Sequence, residues 1–145
     1  MMRYVVFVIV LLITSPFGLA FGVPPLEKVD VRSTSLVNAF GSPLGNNINL
    51  NQAERGIQIS AKITNNQDVD QGFVYIVQIK NEAGVIVSLG FFDLGGELTP
   101  GQSFSPALSW STKTSGTYTA EIYVWDNLEN QEALSEFKTI DIIVS

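Results

Sequence analysis

Gly116-Thr-Tyr-Thr-Ala-Glu-Ile-Tyr-Val-Trp125 is the stretch with the clearest secondary-structure pattern in this chain, and it predicts a β-strand. Side chains of a β-strand point alternately to its two faces. One face of this stretch carries Tyr118, Ala120, Ile122 and Val124, and the other carries Thr119, Glu121, Tyr123 and Trp125. We therefore expect Tyr118 in a core and Trp125 on the opposite face. The alternation leaves open whether that second face is free or covered by another element.

The same period of two recurs along the chain on both sides of this stretch. It is clear in residues 57–64 and 73–80, and it returns in the last residues, 140–144. Turn-forming stretches such as Asn81-Glu82-Ala83-Gly84 and Pro100-Gly101 separate the apolar runs. Short strands at this spacing predict an all-β protein, an antiparallel β-sandwich of seven to eight strands over residues 23–145.

Two stretches interrupt this pattern. Residues 38–56 are rich in Gly, Pro and Asn, which predicts a long loop. Pro106 lies within the strand expected at residues 104–110, so the early part of that strand should lie at a sheet edge. No window of the domain combines a helical period with caps, and we expect little helix.

The N-terminus has the pattern of an export signal. Arg3 precedes an uncharged apolar run at residues 4–13, and Pro16 and small residues at positions 18, 20 and 22 follow. Residues 1–22 are therefore predicted to be a signal peptide, and the protein is expected to be secreted or at the cell surface. The alternative is a retained membrane anchor, since residues 4–21 are just long enough to span a bilayer.

Composition excludes several kinds of chemistry. The chain has 145 residues, 8 basic and 14 acidic, with no Cys and no His. Disulfides, thiolate or imidazole metal sites and Ser-His-Asp or Cys–His catalysis are therefore impossible. The acidic balance disfavours nucleic acid as a partner. We expect no cofactor and no enzymatic activity.

Three stretches together resemble a known class of domain. They are Leu36-Val-Asn-Ala-Phe-Gly-Ser-Pro-Leu44, residues 63–80, and residues 98–125 with Leu98-Thr-Pro-Gly-Gln-Ser and Gly116-Thr-Tyr118. The chain resembles small immunoglobulin-like β-sandwiches in cell-surface proteins of ammonia-oxidising archaea and, more distantly, CARDB and fibronectin type III adhesion modules. The resemblance implies an immunoglobulin-like fold at the cell surface and brings no catalytic motif. Gly116-x-Tyr118 is either a tyrosine corner or only an aromatic residue that opens a core strand.

Two groups of side chains are candidates for binding. Aromatic residues near strand ends or opposite the core pattern could stack on sugar rings or anchor a protein, and these are Phe91, Phe92, Tyr123 and Trp125. Loop carboxylates are weaker candidates, for calcium, because solvated turns are the favoured explanation for them, and these are Asp68, Asp70, Asp126 and Glu129.

These features favour a non-enzymatic extracellular interaction or structural module. Its partner would be an unknown extracellular protein or a surface polysaccharide, bound through a sheet face and loops. One alternative is a carbohydrate-binding module with Tyr123 and Trp125 as stacking platforms. Another is a proteinase-inhibitor-like sandwich, because one bacterial inhibitor family is similar in its Leu-x-Pro-Gly turn and Gly-x-Tyr strand. A membrane would be contacted only through residues 4–21, if they are retained.

We predict that mass spectrometry of the native protein finds a mature N-terminus at Phe21 or Val23, because cleavage by the export machinery follows small residues. An intact Met1 or Met2 terminus in the membrane fraction would instead indicate a retained anchor.

Overall fold

The computed structural model describes residues 22–145, which form two β-sheets packed face to face. The elements in chain order are β1 (Val29–Val37), β2 (Pro43–Leu44), β3 (Asn47–Ile48), α1 (Leu50–Arg55), β4 (Ile57–Asn65), β5 (Val74–Asn81), β6 (Ile86–Asp93), β7 (Ser103–Phe104), β8 (Ala107–Trp110), β9 (Gly116–Trp125) and β10 (Lys138–Val144). The predicted all-β sandwich is confirmed. The predicted signal segment lies outside the described residues except for Gly22. None of the helices within residues 22–145 is long and apolar enough to cross a membrane.

Each sheet has five strands in the described part of the chain. The first has the order β2-β1-β4-β7, with β8 also paired to β4, and the second has the order β3-β10-β9-β5-β6. Neighbouring strands are antiparallel except for β3 and β10, whose two-residue pairing is parallel. Within residues 22–145, seven strands have four or more residues, in line with the predicted seven to eight, and three more have two residues each.

The core lies between the two sheets and follows from alternation along the long strands. Every second residue of β4 from Ile57 is buried, and so is every second residue of β9 from Tyr118. Tyr75 of β5 also connects the two layers, because its hydroxyl donates to the carbonyl oxygen of Ile59 at 3.1 Å. Burial raises the pKa of Tyr75, which keeps this phenol neutral. With no cysteine in the chain, apolar burial and such bonds hold the sheets together.

Tyr118 forms a tyrosine corner at the start of β9. Its hydroxyl donates to the carbonyl oxygen of Thr114 at 2.9 Å, four residues upstream. Its ring contacts Trp110 edge-on, with the ring centroids 4.9 Å apart. A hydrogen bond from this tyrosine back to the preceding corner is characteristic of immunoglobulin-like sandwiches. The corner therefore ties the turn before β9 to the core.

The prediction that residues 38–56 form only a loop is wrong, because β2, β3 and α1 lie within them. Asn49 caps the helix: its Oδ1 accepts from the backbone N–H of Gln52 at 2.9 Å, and Oε1 of Gln52 accepts from the N–H of Asn49 at 3.3 Å. A helix of only six residues is unstable on its own, and this capping box and the burial of Ala53 stabilise it. The Asn49-x-x-Gln52 spacing was the available sequence signal.

We predict that Tyr118→Ala lowers the free energy of unfolding by about 3 kcal/mol or more, because it removes a buried ring and leaves a cavity beside Trp110. Tyr118→Phe keeps the ring and loses the hydroxyl's hydrogen bond to Thr114 and its longer contact, at 3.4 Å, with Oγ1 of Thr112, so it should cost about 1 kcal/mol. Urea unfolding of the two variants measures both losses. Equal losses would show that the ring contributes nothing beyond the hydrogen bond.

Candidate functional site

The outer face of the second sheet brings together three of the four predicted aromatic residues. Tyr123 and Trp125 project from β9 on the face opposite the core, and Phe91 of β6 lines the same groove. Phe137, just before β10, stacks on Tyr123 with ring centroids 5.5 Å apart and planes at 24°. The ring of Trp125 lies 6.4 Å from that of Tyr123. Phe91, Tyr123, Trp125 and Phe137 are referred to below as the aromatic surface.

A groove runs along each side of the column formed by Tyr123 and Trp125. The first has a volume of about 390 Å³, and its walls include Leu89, Phe91 and Leu128 in addition to that column. The second, on the β10 side, has a volume of about 830 Å³ and includes Phe137 in its wall. Aromatic and aliphatic side chains thus offer two adjacent clefts to a partner.

The two β9 rings also cover apolar side chains of the neighbouring strand. Val74 and Ile76 of β5 lie on the outer face, yet they are only 1% and 6% exposed. Their cross-strand partners are Trp125 and Tyr123, respectively. Directly opposed residues of an antiparallel pair lie close enough for the larger side chain to cover the smaller one. The rings are therefore held against the sheet and only partly free.

A polar cluster borders the aromatic surface at Glu121. Its carboxylate accepts hydrogen bonds of 2.8 Å from Nζ of Lys80, from Nε2 of Gln78 and from the hydroxyl of Tyr123. The bond from Lys80 is the main cause that lowers the pKa of Glu121, and it outweighs the opposing effect of burial. Burial, followed by the bond to Glu121, raises the pKa of Tyr123 to about 12. At neutral pH this cluster therefore holds one fixed carboxylate beside neutral rings.

Phe92 does not belong to the aromatic surface, which corrects the expectation that grouped it with Phe91. It points from β6 toward the other sheet, where it stacks on Phe104 with centroids 5.7 Å apart and planes at 12°. It packs against the hydrophobic core. Adjacent residues of a strand face opposite sides, so only one of the two could be outside.

Sequence reasoning missed Phe137. The sequence did contain a signal: Phe137 lies two residues before Thr139 and four before Asp141, which are outward positions of β10, so the alternation along the strand places Phe137 on the same outer face.

The four candidate calcium ligands are not assembled into a site. Asp68, Asp70 and Glu129 are exposed in loops. Asp126 accepts from the backbone N–H groups of Asn127 at 2.6 Å and Glu132 at 2.9 Å. Desolvation raises the pKa of Asp126, but these and further hydrogen bonds outweigh it and lower the pKa. Within residues 22–145 no three acidic side chains lie close enough to hold a metal ion.

Comparison with solved structures shows the fold. The C-terminal domain of wzt matches 83% of this chain and 75% of its own, with a TM-score of 0.66 and 13% identity. A CARDB domain from Pyrococcus furiosus, solved in complex with di-metal ions, matches 82% of this chain and 96% of its own, with a TM-score of 0.52 and 15% identity. Both matches support the immunoglobulin-like sandwich that the resemblance implied.

Parts of carbohydrate-active enzymes share the same fold. A cycloisomaltooligosaccharide glucanotransferase from Paenibacillus sp., complexed with cycloisomaltoheptaose, matches 80% of this chain at a TM-score of 0.60 and 17% identity. Only 14% of that enzyme is covered, so this chain corresponds to a small part of it. No protein-family model and no curated protein sequence matches the chain.

We predict that acid destabilises the domain through Glu121. Its pKa in the folded state lies below the ordinary value of 4.5, so the unfolded chain binds the proton first. The contribution of Glu121 is therefore complete above pH 4.5 and is lost as the pH falls through its lowered folded-state pKa. Glu121→Gln should lose less unfolding free energy than wild type as the pH falls below 4.5.

Urea unfolding across this pH range measures the effect. Glu82→Gln, in the exposed turn before β6, is the matched control and should follow the wild-type profile. If the unfolding free energy of Glu121→Gln falls with pH in parallel with that of wild type, the acid sensitivity does not come from Glu121.

Proposed function

We propose that this domain is a non-catalytic binding module that works outside the cytoplasm and holds its partner on the aromatic surface. The observation that carries the proposal is the grouping of four aromatic rings on one outer sheet face, with Glu121 fixed at their border. The composition supports the non-catalytic part, because the chain has neither the thiol nor the imidazole on which most nucleophilic and acid–base catalysis depends.

Partly exposed aromatic rings on a sheet face favour binding on energetic grounds. Large apolar patches are uncommon on the surfaces of monomeric proteins and usually mark interaction sites. Tyr and Trp dominate the energies of many interfaces because they bury a large area at a small entropy cost. Here Phe91 is 57% exposed, so a partner would remove it from water.

Rigidity of the surface supports the same proposal. Trp125 and Tyr123 lie over Val74 and Ile76, and the hydroxyl of Tyr123 is tied to Glu121. Rings that are already ordered lose little conformational freedom on binding, which leaves more of the contact energy as affinity. A site on strands is also better defined than one on loops.

A carbohydrate partner is the second candidate, and the polar cluster is the observation that favours it. Sugars present an apolar C–H face that stacks on aromatic rings and hydroxyls that need hydrogen-bond partners. The rings of Tyr123 and Phe137 lie at 24° to each other, and the carboxylate of Glu121 accepts a hydrogen bond from the Tyr123 hydroxyl. The glucanotransferase that shares this fold was solved with a cyclic oligosaccharide, which makes a glucan a reasonable first probe.

We predict that Trp125→Ala and Phe91→Ala each weaken partner binding by at least tenfold, roughly 1.4 kcal/mol, as truncation of an anchor residue does. Binding to immobilised cell-surface protein fractions and to a glycan array measures the loss and separates the two partner classes. Phe40→Ala is the matched control, because Phe40 is 93% exposed in the loop between β1 and β2. Equal binding by all three variants would contradict the proposal.

A further inference from the structure

The outer edge of β6 is unlike the other strand edges of the domain. In the described part of the chain, β6 pairs with β5 on one side and with no strand on the other. From Val85 to Phe92 its sequence contains no charge and no proline. A long, uncharged strand edge presents unpaired N–H and C=O groups that can accept another strand.

The remaining edges carry the features that normally prevent strand addition. Within residues 22–145, β2, β3 and β7 are two residues long, and Pro106 separates β7 from β8. The part of β1 beyond β2 carries Asp30 and Arg32 and a register shift after Arg32. The part of β10 beyond β3 carries Lys138 and Asp141. Short strands, prolines, charges and bulges all disfavour edge pairing. β6 has neither charge nor proline from Val85 to Phe92, and the register shift in its pairing with β5 lies between Ile86 and Ser88, before Leu89 and Phe91.

The register of β6 identifies which of its backbone groups face outward. The N–H of Leu94 donates to the carbonyl oxygen of Phe73, toward β5, at 3.2 Å. Consecutive residues of a strand direct their backbone N–H and C=O groups to opposite sides. The backbone groups of Leu89, Phe91 and Asp93 therefore face the open edge. Leu89 is also 67% exposed, so both its backbone and its side chain are available to a partner strand.

We propose that β6 pairs antiparallel with β6 of a second copy of this chain around a two-fold axis, which joins two five-stranded sheets into one. A two-fold axis brings the same edge of both copies together, so each outward N–H meets an outward C=O. With the axis at Gly90, Leu89 of each copy lies opposite Phe91 of the other. Two aliphatic–aromatic cross-strand pairs then form, a combination that stabilises antiparallel sheets.

The size and charge of the edge fit a second copy. Its exposed apolar side chains are Val85, Ile86, Val87, Leu89 and Phe91. Even complete burial of these side chains would remove at most roughly 1,000 Å² from water in a symmetric pair, below the usual size of specific interfaces, so we expect a weak and reversible dimer. The chain has a net charge of −6, which makes two copies repel each other, and the run from Val85 to Phe92 adds no charge to that repulsion at the joined edge.

The dimer would place both aromatic surfaces on one side of a continuous sheet. The two β9 strands would be five interstrand spacings apart, roughly 24 Å. If the proposed function holds, one extended partner could occupy both surfaces and gain avidity. Dimer formation itself does not depend on that function.

Sedimentation velocity of the full chain, as cells produce it, tests the proposal between about 1 and 300 µM. Wild type should shift from monomer to dimer as its concentration rises. Leu89→Lys should weaken association at least about tenfold, because it places two like charges at the joined edge. Ile143→Lys, an exposed apolar residue at the far side of the same sheet, is the control and should associate like wild type.

Amide hydrogen exchange, measured residue by residue by NMR, distinguishes edge pairing from other contacts. The amides of Leu89 and Phe91 should gain protection with concentration, whereas that of Phe92, which faces β5, should be protected at every concentration. A wild-type chain that stays monomeric at the highest concentration overturns the proposal. So does a dimer in which the amides of Leu89 and Phe91 exchange freely, because it would use another surface.

Discussion

Burial of one face of β9 between the two sheets is the interaction on which the rest of this structure depends. β9 lies in the middle of the second sheet, and its inward residues from Tyr118 to Val124 are all buried. No disulfide can supplement this burial, because the chain has no cysteine. Once those side chains face inward, the intervening residues must face outward. Formation of the core and presentation of Glu121, Tyr123 and Trp125 are therefore two consequences of the same strand geometry.

The outward residues of β9 are useful as a surface because their neighbours restrain them. Val74 and Ile76 lie beneath the rings, and Glu121 is bonded to Lys80, Gln78 and Tyr123. These contacts come from β5, which is held by ladders on both sides. The loop carboxylates lack such support, except for Asp126, whose oxygens are engaged by its own turn. The ordered side chains of the aromatic surface and its polar border thus lie mostly on strands.

β6 connects the aromatic surface with the edge of the sheet. Its outward residues Leu89 and Phe91 form one wall of a groove, and the backbone groups of the same residues face the open edge. Its inward residue Phe92 stacks on Phe104 of the opposite sheet and anchors the strand to the core. Changes at inward residues of β6 would therefore act on the core, whereas changes at its outward residues would act on the groove and the edge together. Parity thus separates the core from the outer face.

The sequence by itself was sufficient to predict the fold class, the inward position of Tyr118 and the outward position of Trp125, because these follow from alternation along single strands. It was also sufficient to exclude thiol and imidazole chemistry, because that follows from composition. The capping box of α1 was also local and could have been read. The meeting of Phe137 with Tyr123, the bonds that Lys80 and Gln78 make to Glu121, and the choice of Phe92 over Phe91 for the core depended on strand register. Register is decided by packing between residues far apart in the chain, and a period of two in one strand carries no information about which residue of another strand lies opposite it.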